Sequence, residues 1–240
     1  MMLNISEKIY QTLTKRKYNR GKPFLSDEIL KIINTSILNE QSIKLIGFWG
    51  VGSKSKSNWA DKESCNFLSE LNDEIKQIYK PGIEFIFIFA IMHGIHNGYD
   101  EKLINSYVED MKNIFTKYDF KFLLLNNLWD KYKISFQKID SIFQTEPKDW
   151  WLNVEEKDLI ERNALQRNIK YSPEIAAQKY YIMRNLEKEM LEKEFKGYIF
   201  HSFSDSKLKE VLPNMPTLYF YSRESWSNTP WFVNSEKKDF

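Results

Sequence analysis

Residues 78–100 read IYKPGIEFIFIFAIMHGIHNGYD, and the apolar run inside them decides the fold. A Lys80-Pro81-Gly82 turn launches it, and Phe85, Ile86, Phe87, Ile88 and Phe89 follow without the polar alternation of a half-solvated strand. So continuous a run belongs to an inner strand covered on both faces, as in parallel sheets flanked by helices. It ends in a polar knot of His93, His96, Asn97, Gly98, Tyr99 and Asp100, which holds two of the chain's three histidines. In open α/β sheets the residues just past the carboxyl end of a strand face the ligand crevice. Chemistry is therefore expected first at this knot.

On the amino-terminal side, residues 42–49 read as a strand that leads into a Gly/Ser/Lys loop. Residues 61–79 place Cys65, Leu68, Leu71, Ile75 and Ile78 at helical spacing before Pro81-Gly82. Strand, loop, helix and second strand make a βαβ unit. On the carboxyl side Asp100 caps a helix whose face carries Leu103, Ile104, Tyr107, Val108, Met111 and Ile114, and residues 120–125 read as the next strand. The alternation predicts an α/β fold: a Rossmann-like, mostly parallel sheet flanked by helices. Asp27 is expected to cap a helix bearing Ile29, Leu30, Ile32 and Ile33, within an amino-terminal helical segment over 1–40. The basic run 15–22 before it reads as a solvated connector. Residues 128–142, 155–168 and 173–193 are helical and form a helix-rich insertion over 128–195 in the second half. Strand character returns at 198–203 and 218–221. No repeat or low-complexity segment divides the chain, so 1–240 reads as one domain.

Composition narrows the function. The chain has 240 residues with 35 Lys+Arg against 33 Asp+Glu, a formal charge of +2, and 15% aromatics. So even a balance gives no general electrostatic case for nucleic acid or a membrane surface. No apolar stretch reaches the ~18 residues of a membrane-spanning helix, and residues 1–20 lack the apolar core of a signal peptide. Cys65 is alone, so no intrachain disulfide can form, and a cytoplasmic setting is expected. Flanked by Asn66 and Phe67 on a helical pattern, it reads as structural rather than nucleophilic.

Four constellations carry candidate chemistry. In the loop 50–58, GVGSKSKSN, freed backbone amides, the hydroxyls of Ser53, Ser55 and Ser57, and the ammoniums of Lys54 and Lys56 suit a phosphate or carboxylate. It lacks the Gly-Lys-Ser/Thr ending of a Walker loop and is no dinucleotide fingerprint, and a solvated surface loop is the plain alternative. His93 and His96 could ligate a metal with Asp100 or Glu101, serve substrate hydrogen bonding and proton transfer, or be structural. Gly94 and Gly98 favour a loop shaped for close ligand approach over a ligating helix, and no metal ligand is assigned. His201 follows an apolar strand, and Thr229-Pro230-Trp231-Phe232 reads as a packing plug. Arg162, Arg167 and Arg184 lie along helices, where solvated ion pairs are the default and one inward arginine could clamp an anion.

In this order the landmarks resemble the isocyanide (isonitrile) synthase family, named for proteins of dityrosine and pyoverdine-chromophore biosynthesis. The matching pieces are Lys56-Ser57-Asn58 with Asp61, then 68–82 with Ile75, Ile78-Tyr79 and Pro81-Gly82, and then Tyr99-Asp100-Glu101 with Tyr107. Met183-Arg184 with Glu187 and Phe195, His201, and Thr229-Pro230-Trp231 complete a set spanning roughly 43–232. The resemblance implies condensation of an amino acid's α-amine with the ketone of ribulose 5-phosphate. A sugar carbon is kept as the isocyanide carbon, and phosphate and the remaining fragment are expelled. It implies no cofactor, and a downstream iron/2-oxoglutarate oxygenase in the same pathway. On this reading His93, Asp100, Lys56 and His201 are the catalytic candidates. Lys54, Ser57, Asn58, His96, Asn97, Tyr99, Arg184 and Trp231 are the substrate- and phosphate-binding candidates. The chain departs from the family where Ala90-Ile91-Met92-His93-Gly94 replaces an acidic Ser-Asp-Gly and where Phe232 replaces a histidine, so His93 is expected to take over from the lost acid. The alternatives are a non-catalytic amino-acid or phosphosugar binder, an aminoacyl-tRNA-dependent transferase, and a metalloenzyme.

Overall fold

The computed structural model describes residues 4–19, 21–52, 55–147, 149–155, 157–202, 212 and 214–220. Two helices, α1 (Ile5–Leu13) and α2 (Ser26–Leu38), precede β1 (Ile43–Trp49), and α3 (Trp59–Lys76) leads to β2 (Ile83–Phe89). Then come α4 (Ile91–His96), α5 (Glu101–Lys117) and β3 (Lys121–Leu124). The second half runs α6 (Leu125–Tyr132), α7 (Phe136–Thr145), a 3-10 turn at Trp150–Asn153, α8 (Lys157–Arg167), α9 (Pro173–Glu194), β4 (Ile199–Ser202) and β5 (Thr217–Tyr219).

The strands form one parallel sheet in the order β3-β2-β1-β4-β5, with Ile43 through Trp49 opposite Ile83 through Phe89 in unbroken register. The α/β expectation is met. Alternate side chains go to opposite faces. Leu45, Trp49, Phe85, Phe87 and Phe89 pack with Ile9, Ile33, Leu68, Met111 and Phe115 of the first four long helices, α1, α2, α3 and α5. Ile46, Ile86 and Ile88 face α6, α7 and α9 through Trp129, Ile139, Met183 and Leu191. The unalternating run in β2 thus serves two apolar layers, which is why it reads as continuous. No helix among the described residues is long and apolar enough to cross a membrane.

Several local expectations change. The residue before α2 is Leu25, in the left-handed region at φ 53, and Asp27 lies in the first turn without capping. The run 15–22 is not simply solvated: Lys15 Nζ and the buried Tyr18 hydroxyl reach Glu74 of α3 at 2.8 and 2.6 Å. These donors, the Lys15 ammonium first, pull the Glu74 carboxyl down to about 2. The helical stretch 128–142 is broken at Lys133, whose φ of 54 ends α6, and Ser135 caps α7. Of the knot, His93 to His96 belong to the helix α4 rather than a loop, while residues 97–100 form the turn that follows, with Gly98 at φ 87. Gly94 is needed in α4 because a Cβ would meet Ile104 Cδ1 at 2.8 Å and Val51 Cγ2 at 2.9 Å.

Gly47, in the middle of β1, is a second close approach: a Cβ there would lie 2.5 Å from both Cε1 and the carbonyl oxygen of His201 on the neighbouring strand. Because backbone cannot swing aside, Gly47→Ala is expected to cost about 1–3 kcal/mol through overpacking. Urea unfolding of the purified variant measures it.

Candidate functional site

From β1 the chain winds outward through β2 to β3, then returns past β1 to lay down β4 and β5. The winding direction therefore reverses between β1 and β4, where open parallel sheets place ligands at the carboxyl ends of the strands. Phe48, near the end of β1, stands between the strands there. Its ring centroid is 5.2 Å from that of His93 after β2 and 6.2 Å from that of Phe200 on β4.

His93 is the most informative of the expected site residues. Its Nε2 lies 2.8 Å from Oε2 and 3.1 Å from Oε1 of Glu187 on α9, with 18% of the imidazole and 3% of the carboxylate side chain exposed. Trp129 Nε1 on α6 donates to Glu187 Oε1 at 2.9 Å. A carboxylate only accepts, so Nε2 carries a proton toward Glu187, and in the neutral ring Nδ1 is the acceptor. The T-shaped Tyr180 ring, 5.7 Å away, and the tilted Phe48 ring hold the imidazole plane. The buried carboxylate fixes the orientation of the imidazole ring. Glu187 entered the sequence reading only as one of the pieces of the family resemblance and was not among the candidate site residues. The available signal was a charge among Met183, Met190 and Leu191, at helical spacing on the buried side of α9.

The rest of the knot is used structurally. His96 Nε2 donates to the Ala176 carbonyl at 3.1 Å, and burial pushes the imidazole down to about 4, so it is neutral near pH 7. The Asn97 carbonyl accepts from Ile169 N at 2.9 Å, and Tyr99 donates to the Arg167 carbonyl at 2.9 Å. Asn168 donates to the His96 carbonyl and turns its own Oδ1 to the amides of Lys170 and Tyr171. His96, Asn97 and Tyr99 thereby bolt the connection between α8 and α9 onto α4. Asp100 caps α5 by accepting from Lys102 N at 2.7 Å and is exposed. Among the described residues no group of three or more His, Cys, Asp or Glu side chains is arranged to hold a metal ion.

Of the loop 50–58, Ser53 and Lys54 lie outside the described residues. Lys56 is exposed, and Ser57 is half-buried. Ser57 gives both its amide and its hydroxyl to Asp110 Oδ2, at 2.8 and 2.6 Å, and this pair of donors draws the Asp110 carboxyl below its usual range. Asn58 and Asp61 form a reciprocal capping box at the start of α3, with Asn58 Oδ1 accepting from Asp61 N and Asp61 Oδ2 from Asn58 N. Ser57 and Asn58 thus spend these donors and acceptors inside the protein.

His201 lies on β4 wholly within the apolar core, among Phe85, Phe87 and Phe220, and burial pushes its imidazole down to about 3. That position is on the sheet face away from His93, so the structure does not bring the two together. Arg184 is half-buried, one turn from Tyr180 on α9, with its guanidinium 5.9 Å from the Tyr180 ring. Trp231 lies outside the described residues. Cys65 is buried, and desolvation raises its thiol far above the usual range, which makes it inert.

Two neutral buried imidazoles make the fold acid-sensitive. Their folded values lie below the ordinary 6.5, so their contribution to stability is full above that pH and is lost as pH falls through about 4 for His96 and about 3 for His201. The urea midpoint is expected to fall across this window, and more shallowly in His201→Phe.

No protein-family model matches the chain, and no curated protein matches it. Solved structures do. The crystal structure of the PvcA protein from Pseudomonas aeruginosa superposes with a TM-score of 0.65 at 16% identity, covering 90% of this chain and 83% of that one. Tyrosyl-tRNA synthetase from Archaeoglobus fulgidus, complexed with L-tyrosine, superposes with a TM-score of 0.56 at 12% identity. That match covers 90% of this chain but only 63% of the synthetase, so the chain spans less than two thirds of its length. At such identities the likeness is one of fold, and this chain is a doubly wound parallel α/β protein sharing the fold of PvcA.

Proposed function

We propose that this chain is an enzyme of amino-acid chemistry, condensing the α-amine of an amino acid with ribulose 5-phosphate and converting that amine into an isocyanide. The observation that carries the reading is the His93–Glu187–Trp129 arrangement at the carboxyl end of β2. Condensation of an amine with a ketone and the eliminations that follow need a group that takes and returns protons. His93 Nδ1 supplies it, and Glu187 holds the ring and balances the charge that forms on it. Arg184, one turn before Glu187, would hold the amino acid's carboxylate, and Lys56 with the amides of Gly50 and Gly52 the phosphate. The likeness to PvcA and the ordered family pieces support the same reading.

The synthetase likeness favours a second reading, an amino-acid-binding protein or an aminoacyl-tRNA-dependent transferase. The nearly neutral charge of +2 weighs against tRNA. Mass spectrometry of purified protein incubated with ribulose 5-phosphate and a pool of amino acids including tyrosine and tryptophan, with a tetrazine trap, decides between the readings. A trapped isocyanide adduct is expected. Absence of an adduct, together with ribulose 5-phosphate failing to raise the melting temperature, would overturn the proposal.

A further inference from the structure

The loop 50–58 has both its ends tied to one helix, and the tie is built from groups that no chemistry described above uses. Tyr107, fully buried on α5, accepts from Trp49 Nε1 at 3.0 Å and donates to Asp61 Oδ1 at 2.7 Å. Trp49 is the last residue of β1 and Asp61 belongs to the first turn of α3, so one phenol bridges the entry and the exit of the loop. Burial raises the Tyr107 hydroxyl well above its usual range, so it stays a donor. Three residues along the same helix face, Asp110 receives both donors of Ser57. At its start the loop leans on α4, where Val51 packs against Gly94, next to His93.

A loop of ten or so residues with free ends would have to be ordered on each binding event, at an entropic cost of about 1–2 kcal/mol per residue fixed. We infer that Tyr107 and Asp110 are positioning residues that hold residues 50–52 beside His93, and residues 55–58 against α5, in the arrangement that receives the anionic group of the substrate. Neither touches substrate. The inference rests on the proposed reading for the identity of that group, a sugar phosphate, while the clamp is defined by the hydrogen bonds alone. A carboxylate engaged with Ser57 also makes that serine a fixed post of the site rather than a phosphate ligand, and leaves the anion to Lys56 and the backbone of Gly50 and Gly52.

The test is hydrogen exchange of residues 49–58, with binding of inorganic phosphate and ribulose 5-phosphate by calorimetry, on the intact protein and its Tyr107→Phe, Asp110→Ala and Asp110→Asn variants. Tyr107→Phe and Asp110→Ala are expected to exchange at least tenfold faster across 55–58 and to bind ribulose 5-phosphate at least tenfold more weakly. Asp110→Asn, which keeps an acceptor oxygen, should recover most of both. Should Tyr107→Phe fail to fold, the surface pair Asp110→Ala and Asp110→Asn carries the test alone. A lowered melting temperature with unchanged exchange and unchanged affinity would mean that these residues only stabilise the core, and overturns the inference. Intact protein that binds phosphate but not ribulose 5-phosphate would remove the sugar-phosphate reading, leaving the clamp to stand or fall on the phosphate affinities. Intact protein that binds neither overturns both.

Discussion

Glu187→Gln is expected to lower turnover by about 100-fold or more, within the range general acid–base groups contribute, while KM changes by less than about threefold. The amide has the shape of the carboxylate, but only one of its two heteroatoms accepts a hydrogen bond. Trp129 Nε1 and His93 Nε2 both donate to Glu187 at present. With its oxygen at the Oε1 position the glutamine keeps Trp129 and only the longer 3.1 Å contact to His93, and its NH2 faces Nε2 in place of the 2.8 Å contact to Oε2. His93 is then driven to the opposite tautomer, with Nδ1 protonated and no longer able to accept. His93→Ala should lose a similar factor, and the double variant should lose little more than either single one, because the pair acts as a unit. Steady-state kinetics on the amino acid found by the trapping experiment measure this. Turnover of Glu187→Gln within threefold of the intact protein would remove His93 from the proposed mechanism.

The largest effect on stability is expected at Phe87. Its ring is fully buried in the middle of β2 and touches the rings of Phe115, Trp49, Phe120 and His201, with centroids 4.9, 5.2, 5.5 and 5.3 Å away. Truncation loses the transfer free energy of the ring and leaves a cavity that rigid aromatic neighbours cannot collapse into. Phe87→Ala should cost about 3–5 kcal/mol, lowering the melting temperature by roughly 10 °C in a chain of this size. Phe87→Leu keeps most of the volume and should cost less than about 1.5 kcal/mol. Equal losses in the two variants would mean that ring stacking, not cavity formation, sets the stability of this layer.

The parts of the fold written in local patterns were legible. The run in β2 announces a strand covered on both faces, Asp100 does cap α5, and the apolar spacing from Cys65 to Ile75 matches the buried side of α3. What failed locally failed for physical reasons. The helix at 91–96 has one turn and a bit, no capping side chain and a glycine that exists for packing, so nothing in the sequence favours it over a loop. Lys133 breaks a stretch of good helical spacing through a left-handed turn that its side chain does not signal. The site was half legible. The knot was legible as a polar cluster past the end of β2, but His96, Asn97 and Tyr99 have their partners on residues 167–176, and His93 has its partner on Glu187. Such pairings join distant stretches of chain, and no spacing rule reports them. His201 shows the converse: a polar residue in an apolar strand drew a functional reading, while the strand's packing takes it into the core.

The strand order also sets a timetable for synthesis. The crossovers β1-α3-β2 and β2-α5-β3 join near neighbours in the chain, but the other flank of β1 waits for Leu45 and Ile46 to meet Ile199 and Phe200. On a ribosome moving at about 5–20 residues per second, that flank stays open for roughly 8–30 s while some 150 residues emerge. Asn19 with Phe220 and Phe24 with Thr217 bridge residues 19–24 to the outer edge of β5, so a segment made before β1 must be held in reserve for one made after β4. An apolar central strand left unpaired for seconds is an open template for pairing with a neighbouring nascent chain. Yield in the cell should therefore respond to translation speed and chaperone supply before it responds to the stability of the finished protein.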